Sequence, residues 1–152
     1  VVFVLEREQV VAAARPDVFA FFSDAANLER LTPPSLRFEI LTPTPIPMKA
    51  GTVIDYRLRL FAVPFRWRTL IERFEAPTSF VDVQTEGPYR LWRHTHSFTE
   101  VPGGTAIADR VEYELPLGRL GVLARALFVR RQLDAIFRHR RAVIADLFGA
   151  RR

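Results

Sequence analysis

Apolar and polar residues alternate with a period of two along much of this chain, the signature of strands with one buried face. The longest such stretch runs from Tyr89 to Leu115. In its first half Trp92, His94, His96 and Phe98 fall on one side, and Arg93, Thr95, Ser97 and Thr99 on the other. In its second half Ile107, Asp109, Val111, Tyr113 and Leu115 share a side. Between the halves, Pro102-Gly103-Gly104 supplies the positive φ that a tight hairpin turn needs. Folding about Pro102-Gly103 sets Phe98 opposite Ile107, His96 opposite Asp109, His94 opposite Val111 and Trp92 opposite Tyr113. A slip of one residue would scramble both faces, so the pattern predicts this register.

The rest of the chain divides by the same logic. Phe3 to Val11 alternates as a first strand. Arg15-Pro16-Asp17 opens a short apolar helix, since proline suits the first turn and aspartate complements the dipole. Asp24 is placed to cap a second short helical piece, which Thr32-Pro33-Pro34 ends. Leu36, Phe38 and Ile40 predict a second strand, and the proline-rich 42–49 a loop. Ile54, Tyr56, Leu58 and Leu60 are expected to face inward from a third strand, and Phe65, Trp67, Thr69 and Ile71 from a fourth. The turn between them, Phe61 to Pro64, is apolar for a turn; packing beneath a neighbour is the leading expectation, and a lid or contact patch is the alternative. The strand from Phe80 to Thr85 has two possible facings, of which hydrophobicity alone sends Val81 and Val83 inward.

After Pro116-Leu117-Gly118 the period becomes helical. Leu120, Leu123, Ala124 and Leu127 form one apolar stripe; Leu133, Ile136, Phe137, Val143, Ile144 and Leu147 belong to another. The two lie on opposite sides of a uniform helix, so the helix either bends near Leu127 to Arg131 or turns its first part to a different partner. Arg140 interrupts the second stripe. The predicted architecture is α+β. A curved antiparallel sheet of about seven strands wraps a long C-terminal helix, with two short helices after the first strand. A cavity between sheet and helix is expected, lined by Tyr56, Trp67, Trp92, Phe98, Val111 and Phe137.

Composition narrows the function. At 152 residues, residues 1–152 are expected to form one domain. No apolar run reaches the ~18 residues of a membrane span, so no integral membrane segment is expected. The apolar start soon meets Glu6, Arg7 and Glu8, unlike a signal peptide, and there is no cysteine; a cytoplasmic location is the default. The net charge of +5 comes almost wholly from arginines that are spread along the chain among acids. That pattern describes a solvated surface, and no nucleic-acid partner is expected. No phosphate loop, dinucleotide fingerprint or nucleophile elbow is present, and no cofactor is expected.

The inward face of the hairpin carries chemistry that an apolar wall does not need. His96 beside Asp109 is the sharpest pair: a carboxylate fixes the tautomer of an imidazole and raises its pKa, which suits a general base. The bland alternative is a structural hydrogen bond. His94 and His96 can both reach a metal, but Asp109 and His139 are the only further ligands suggested, and no metal site is expected. Arg140 can bind a ligand's carboxylate or phosphate, pair with Asp109, or extend to solvent. Trp67, Trp92 and Tyr113 can stack on a flat ligand or simply fill the core.

The segments VFAFFSDAANLERLTPP (18–34), FVDVQTEGP (80–88) and LWRHTHSF (91–98), the Asp109 and Tyr113 pair, the Pro116-Leu117-Gly118 turn and IFRHRR around Arg140 together resemble the SRPBCC superfamily. That superfamily includes START lipid-transfer domains, the birch pollen allergen, and polyketide cyclases and dehydratases; the details look closest to a bacterial ligand-binding branch. The resemblance implies a helix-grip fold with an internal hydrophobic cavity. It also implies that Asp82 and Gln84 belong to the site, against the inward placement of Val81 and Val83. The leading expectation is binding or carriage of a small hydrophobic molecule such as a lipid, isoprenoid or polyketide. One alternative is a cyclase or dehydratase that uses His96 and Asp109 as its acid/base pair. Another is a module that forms a homodimer through Leu120, Leu123 and Leu127.

Overall fold

A computed structural model describes residues 1–149; the last three positions of the predicted 1–152 domain lie outside the described residues. Seven strands form one antiparallel sheet: β1 (Phe3–Val11), β2 (Glu39–Ile40), β3 (Val53–Leu60), β4 (Val63–Glu75), β5 (Ser79–Glu86), β6 (Leu91–Val101) and β7 (Gly104–Glu114). Their spatial order is β1-β7-β6-β5-β4-β3-β2, a meander closed by β1 beside β7. Between β1 and β2 lie α1 (Arg15–Phe22) and α2 (Leu28–Leu31). Asp24 caps the 3-10 turn leading into α2 by accepting from the Ala26 backbone N–H at 3.0 Å. At the C-terminal end come α3 (Arg119–Ala124) and α4 (Arg130–Phe148), joined by a π-helical segment, Arg125–Val129.

The β6–β7 hairpin has the expected register throughout, with Trp92 opposite Tyr113, His94 opposite Val111, His96 opposite Asp109 and Phe98 opposite Ile107. Pro102 and Gly103 are the two loop residues, with Gly103 at φ 78, a conformation that side chains with a Cβ adopt at a cost. Helix α4 packs against the concave face: Leu133 and Phe137 join Trp67, Tyr89, Val111 and Tyr113 in one buried cluster, and Ile144 joins α1 and Phe98 in another.

Two expectations are corrected and two open choices are decided. The second strand is only Glu39–Ile40; Leu36 sits in a 3-10 turn, Pro34–Leu36, because two successive prolines and a left-handed Arg37 (φ 48) bend the chain where a strand would need to extend. The inward face of β5 carries Phe80, Asp82 and Gln84, not Val81 and Val83. Asp82 pairs across from His94, whereas Val81 pairs across from Thr95 on the outer face, where it is still buried. The turn between β3 and β4 is not packed away: Phe61 is 55% exposed and Val63 51%. The two stripes of the terminal helix face opposite ways as expected, Leu120 and Leu127 outward and Leu133 and Phe137 inward, and the interruption between them is the π segment Arg125–Val129.

Candidate functional site

Between the sheet and α4 lies a cavity of about 170 Å³. Its walls follow from the alternation of four strands. Ile54, Tyr56, Leu58 and Leu60 come from β3; Trp67, Thr69 and Ile71 from β4; Phe80 and Asp82 from β5; Trp92, His94 and His96 from β6. Leu133, Ile136, Phe137 and Arg140 recur at helical spacing along α4 and close the opposite side. Leu28 and Leu31 of α2, together with Leu36, Phe38 and Met48, line the rest. Most of this surface is apolar, and it includes an aromatic group in which Tyr56 stacks on Trp67 (5.8 Å, 15°) and Trp92 meets Trp67 edge-on (5.4 Å, 86°).

The polar groups are gathered at one place. His94 and His96 stack face to face at 3.7 Å, and Phe80 stacks on the other side of His96 at 4.1 Å. His96 Nε2 lies 2.6 Å from Asp82 Oδ2, and His94 Nε2 lies 2.8 Å from Asp109 Oδ1. An ionised carboxylate only accepts hydrogen bonds, so each histidine carries its proton on Nε2. His96 Nδ1 is then an acceptor, and Arg140 Nη2 donates to it at 3.4 Å while also donating to Asp109 Oδ1 at 3.1 Å. One arginine from the helix therefore ties two strands of the sheet together.

The expected pair, His96 with Asp109, is cross-strand as the register requires, but it is not the hydrogen-bonded pair: His96 Nδ1 stands 3.6 Å from Asp109, and its bond goes to Asp82 instead. Its pKa also moves opposite to the expectation. Burial, together with repulsion from His94, pushes His96 down to about 4, and this outweighs the raising effect of Asp82. Burial raises Asp109, yet the Arg140 charge and the His94 hydrogen bond hold it well below the usual carboxylate range. Asp82 is likewise raised by burial but lowered overall by its His96 bond.

Of the residues expected at the site, Tyr56, Trp67, Asp82, Trp92, His94, His96, Phe137 and Arg140 line the cavity. Asp109 stands behind His94 as its partner. Gln84 clamps the following turn, accepting from the Tyr89 backbone N–H at 3.0 Å and donating to its carbonyl at 2.6 Å. Phe98, Val111 and Tyr113 are packed in the hydrophobic core rather than on the cavity wall. His139 donates to the Arg30 carbonyl at 3.2 Å, away from the other histidines. The histidine and carboxylate atoms that do converge belong to Asp82, His94 and His96, within 4.8 Å of one another. That spacing could hold a cation, but the Arg140 guanidinium against His96 opposes one. Phe80 was missed as a site residue, although the period-two run Phe80-Asp82-Gln84 was legible once Phe80 fixes the phase.

Two buried donors lack partners and belong to cavity-lining residues: Trp67 Nε1 and Arg140 Nε. An unpaired donor in such a place is costly unless a ligand or water meets it.

A curved sheet gripping a long helix over an apolar cavity with a polar cluster defines the helix-grip class of fold. Within that class the chain belongs to the family of polyketide cyclases / dehydrases and lipid transport proteins, which matches residues 11–138. Among solved structures it is similar to the protein CV1439 from Chromobacterium violaceum (TM-score 0.74, 12% identity, 98% of this chain and 99% of that one). It is also similar to TTHA0849 from Thermus thermophilus (TM-score 0.73, 16% identity, 95% and 99%). A START superfamily protein from Mycobacterium smegmatis is a third (TM-score 0.70, 13% identity, 95% and 98%). At these identities the likeness is one of fold. No curated protein matches the sequence. The family and the fold fit ligand-binding proteins.

Proposed function

We propose that the protein binds or carries a small hydrophobic molecule in the cavity between the sheet and α4. The observation that carries this reading is the cavity itself: about 170 Å³, walled mainly by apolar and aromatic side chains, with its polar groups collected at one cluster. A ligand with an apolar body and one oxygen-bearing end matches that division. The unpartnered Trp67 Nε1 and Arg140 Nε donors ask for an acceptor, and the half-buried Asp82 carboxylate can accept from a hydroxyl. A lipid, isoprenoid or polyketide-like molecule has this character.

The acid/base reading draws less support. A base works best with a pKa near the working pH, and His96 is held at about 4 with its Nδ1 facing Arg140.

The test is titration with a hydrophobic fluorescent probe such as an anilinonaphthalene sulfonate, with native mass spectrometry of the purified protein to detect a retained ligand. Stoichiometric probe binding is expected, with quenching of Trp67 and Trp92. Ile136→Trp should fill part of the cavity and weaken the probe at least tenfold while leaving the unfolding temperature within a few degrees of the parent's. Val111 is a poor site for such a filling, because it lies in the packed core, where extra volume costs about 1–3 kcal/mol. Absence of probe binding in the parent, with Ile136→Trp strongly destabilised, would mean a filled core and end the proposal.

A further inference from the structure

The surface farthest from ordinary behaviour is not in the cavity. Along α3 and the π segment, Leu120 is 67% exposed, Leu123 55%, Leu127 52% and Phe128 57%. The Phe61 ring of the β3–β4 turn meets Phe128 edge-on at 6.1 Å, so the exposed helix and the exposed turn form one continuous apolar patch. Patches of this kind on a soluble protein mark a contact surface.

The charge around the patch is of one sign. Between Leu115 and Leu133 there are four arginines and no aspartate or glutamate. Arg119, Arg130 and Arg131 are exposed, as are Arg59 and Arg66 beside the turn, and among the described residues none of these five forms an ion pair. Protruding leucines and phenylalanines amid unpaired arginines suit a surface that is apolar beneath and anionic on top. A second copy of the chain fits poorly. A two-fold dimer would set this patch against itself and bring arginines face to face with no acid between them.

We infer that the α3–π face and the Phe61 turn dock this protein on an anionic lipid bilayer. Leucine and phenylalanine side chains enter the headgroup–acyl boundary, and the arginines rest on the lipid phosphates. The cavity lies directly behind: Leu60, adjacent to Phe61, and Leu133, one turn beyond Val129, both line it. The docking surface does not depend on what occupies the cavity, so it can fail while the binding proposal stands, and the reverse.

The experiment is cosedimentation of the full chain with vesicles of phosphatidylcholine alone and of phosphatidylcholine with about one third phosphatidylglycerol. Mass in solution is measured in parallel. The expected result is at least tenfold stronger binding to the anionic vesicles, largely lost at high salt as the arginines are screened. The double substitution Leu123→Glu, Leu127→Glu should abolish it with the circular dichroism unchanged. Arg130→Glu, Arg131→Glu should do the same, and provides the test if the leucine variant does not fold. The proposal is overturned if the parent binds both vesicles equally or neither. It is also overturned if both folded double variants bind like the parent. Concentration-dependent dimerisation that disappears in the leucine variant, without vesicle binding by the parent, would assign the face to a second copy instead.

Discussion

Two regions of this protein reverse the usual distribution of residue types, in opposite directions. At the polar end of the cavity, Arg140 and Asp109 are each only 7% exposed, amid phenylalanine, leucine and tryptophan. On the α3–π face, leucines and a phenylalanine stand in solvent amid arginines. The buried region is closed: each charge has an opposite charge or a hydrogen bond, and its geometry depends on β5, β6, β7 and α4 being in place together. The exposed region is open: its side chains touch little of the fold and contribute little to holding it. Charged groups inside are therefore stability determinants, and apolar groups outside are contact determinants. The same rule of burial, violated both ways, separates the two roles.

The largest effect should come from breaking the closed region. Asp109→Ala leaves Arg140 buried without its carboxylate and His94 without its partner. About 3–5 kcal/mol of stability should be lost in urea unfolding. A loss below about 1 kcal/mol would show that the cluster is not electrostatically closed. Next comes pH. His96 has a folded pKa of about 4 against 6.5 for the free side chain, so between those values the unfolded chain binds more protons and stability falls as pH falls. At roughly 1.4 kcal/mol per pKa unit the loss from pH 6.5 to 4 is about 3 kcal/mol. Asp109 and Asp82 are shifted down and act in a separate window, since their contribution is lost only below the ordinary carboxylate value near 4. In His96→Phe the slope between pH 6.5 and 4 should shrink; a slope like the parent's would assign the titration to another group. The open region should give the smallest response. Phe61→Asn relaxes a left-handed φ of 51 at an exposed position and should raise stability by up to ~1 kcal/mol by thermal unfolding. Leu120→Ser should shift stability by no more than about 0.5 kcal/mol. A marked loss in either would mean that the outer face belongs to the folding core.

The closed region was largely legible in the sequence because strands encode facing in a period of two. His94, His96 and Asp109 were placed on one face, and across from their correct partners, by alternation and one turn. The hydrogen bonds were not legible. His96 had Asp109 opposite it on β7 and Asp82 diagonally near on β5, and the strand pairing alone does not choose between them. Hydrophobicity also misplaced β5, since Val81 is buried on the outer face and Phe80, at the strand's start, was the better guide to its phase. The second strand failed because alternation over Leu36, Phe38 and Ile40 persists in a turn whose side chains still reach the cavity. The open region was visible as two helical stripes out of phase, but the sequence did not say what lies between them.

What lies between them is a π turn, which is an α-helical turn carrying one residue in excess. The register between the outward leucines and the inward Leu133 and Phe137 is therefore a matter of counting. Rewinding Arg125–Val129 as ordinary α-helix, with every residue kept, would rotate α3 by about 100° relative to α4. The apolar patch would swing toward another side without any change in its composition. A change of winding at this joint would thus change which surface the protein offers to its surroundings, and it would leave the cavity behind it untouched.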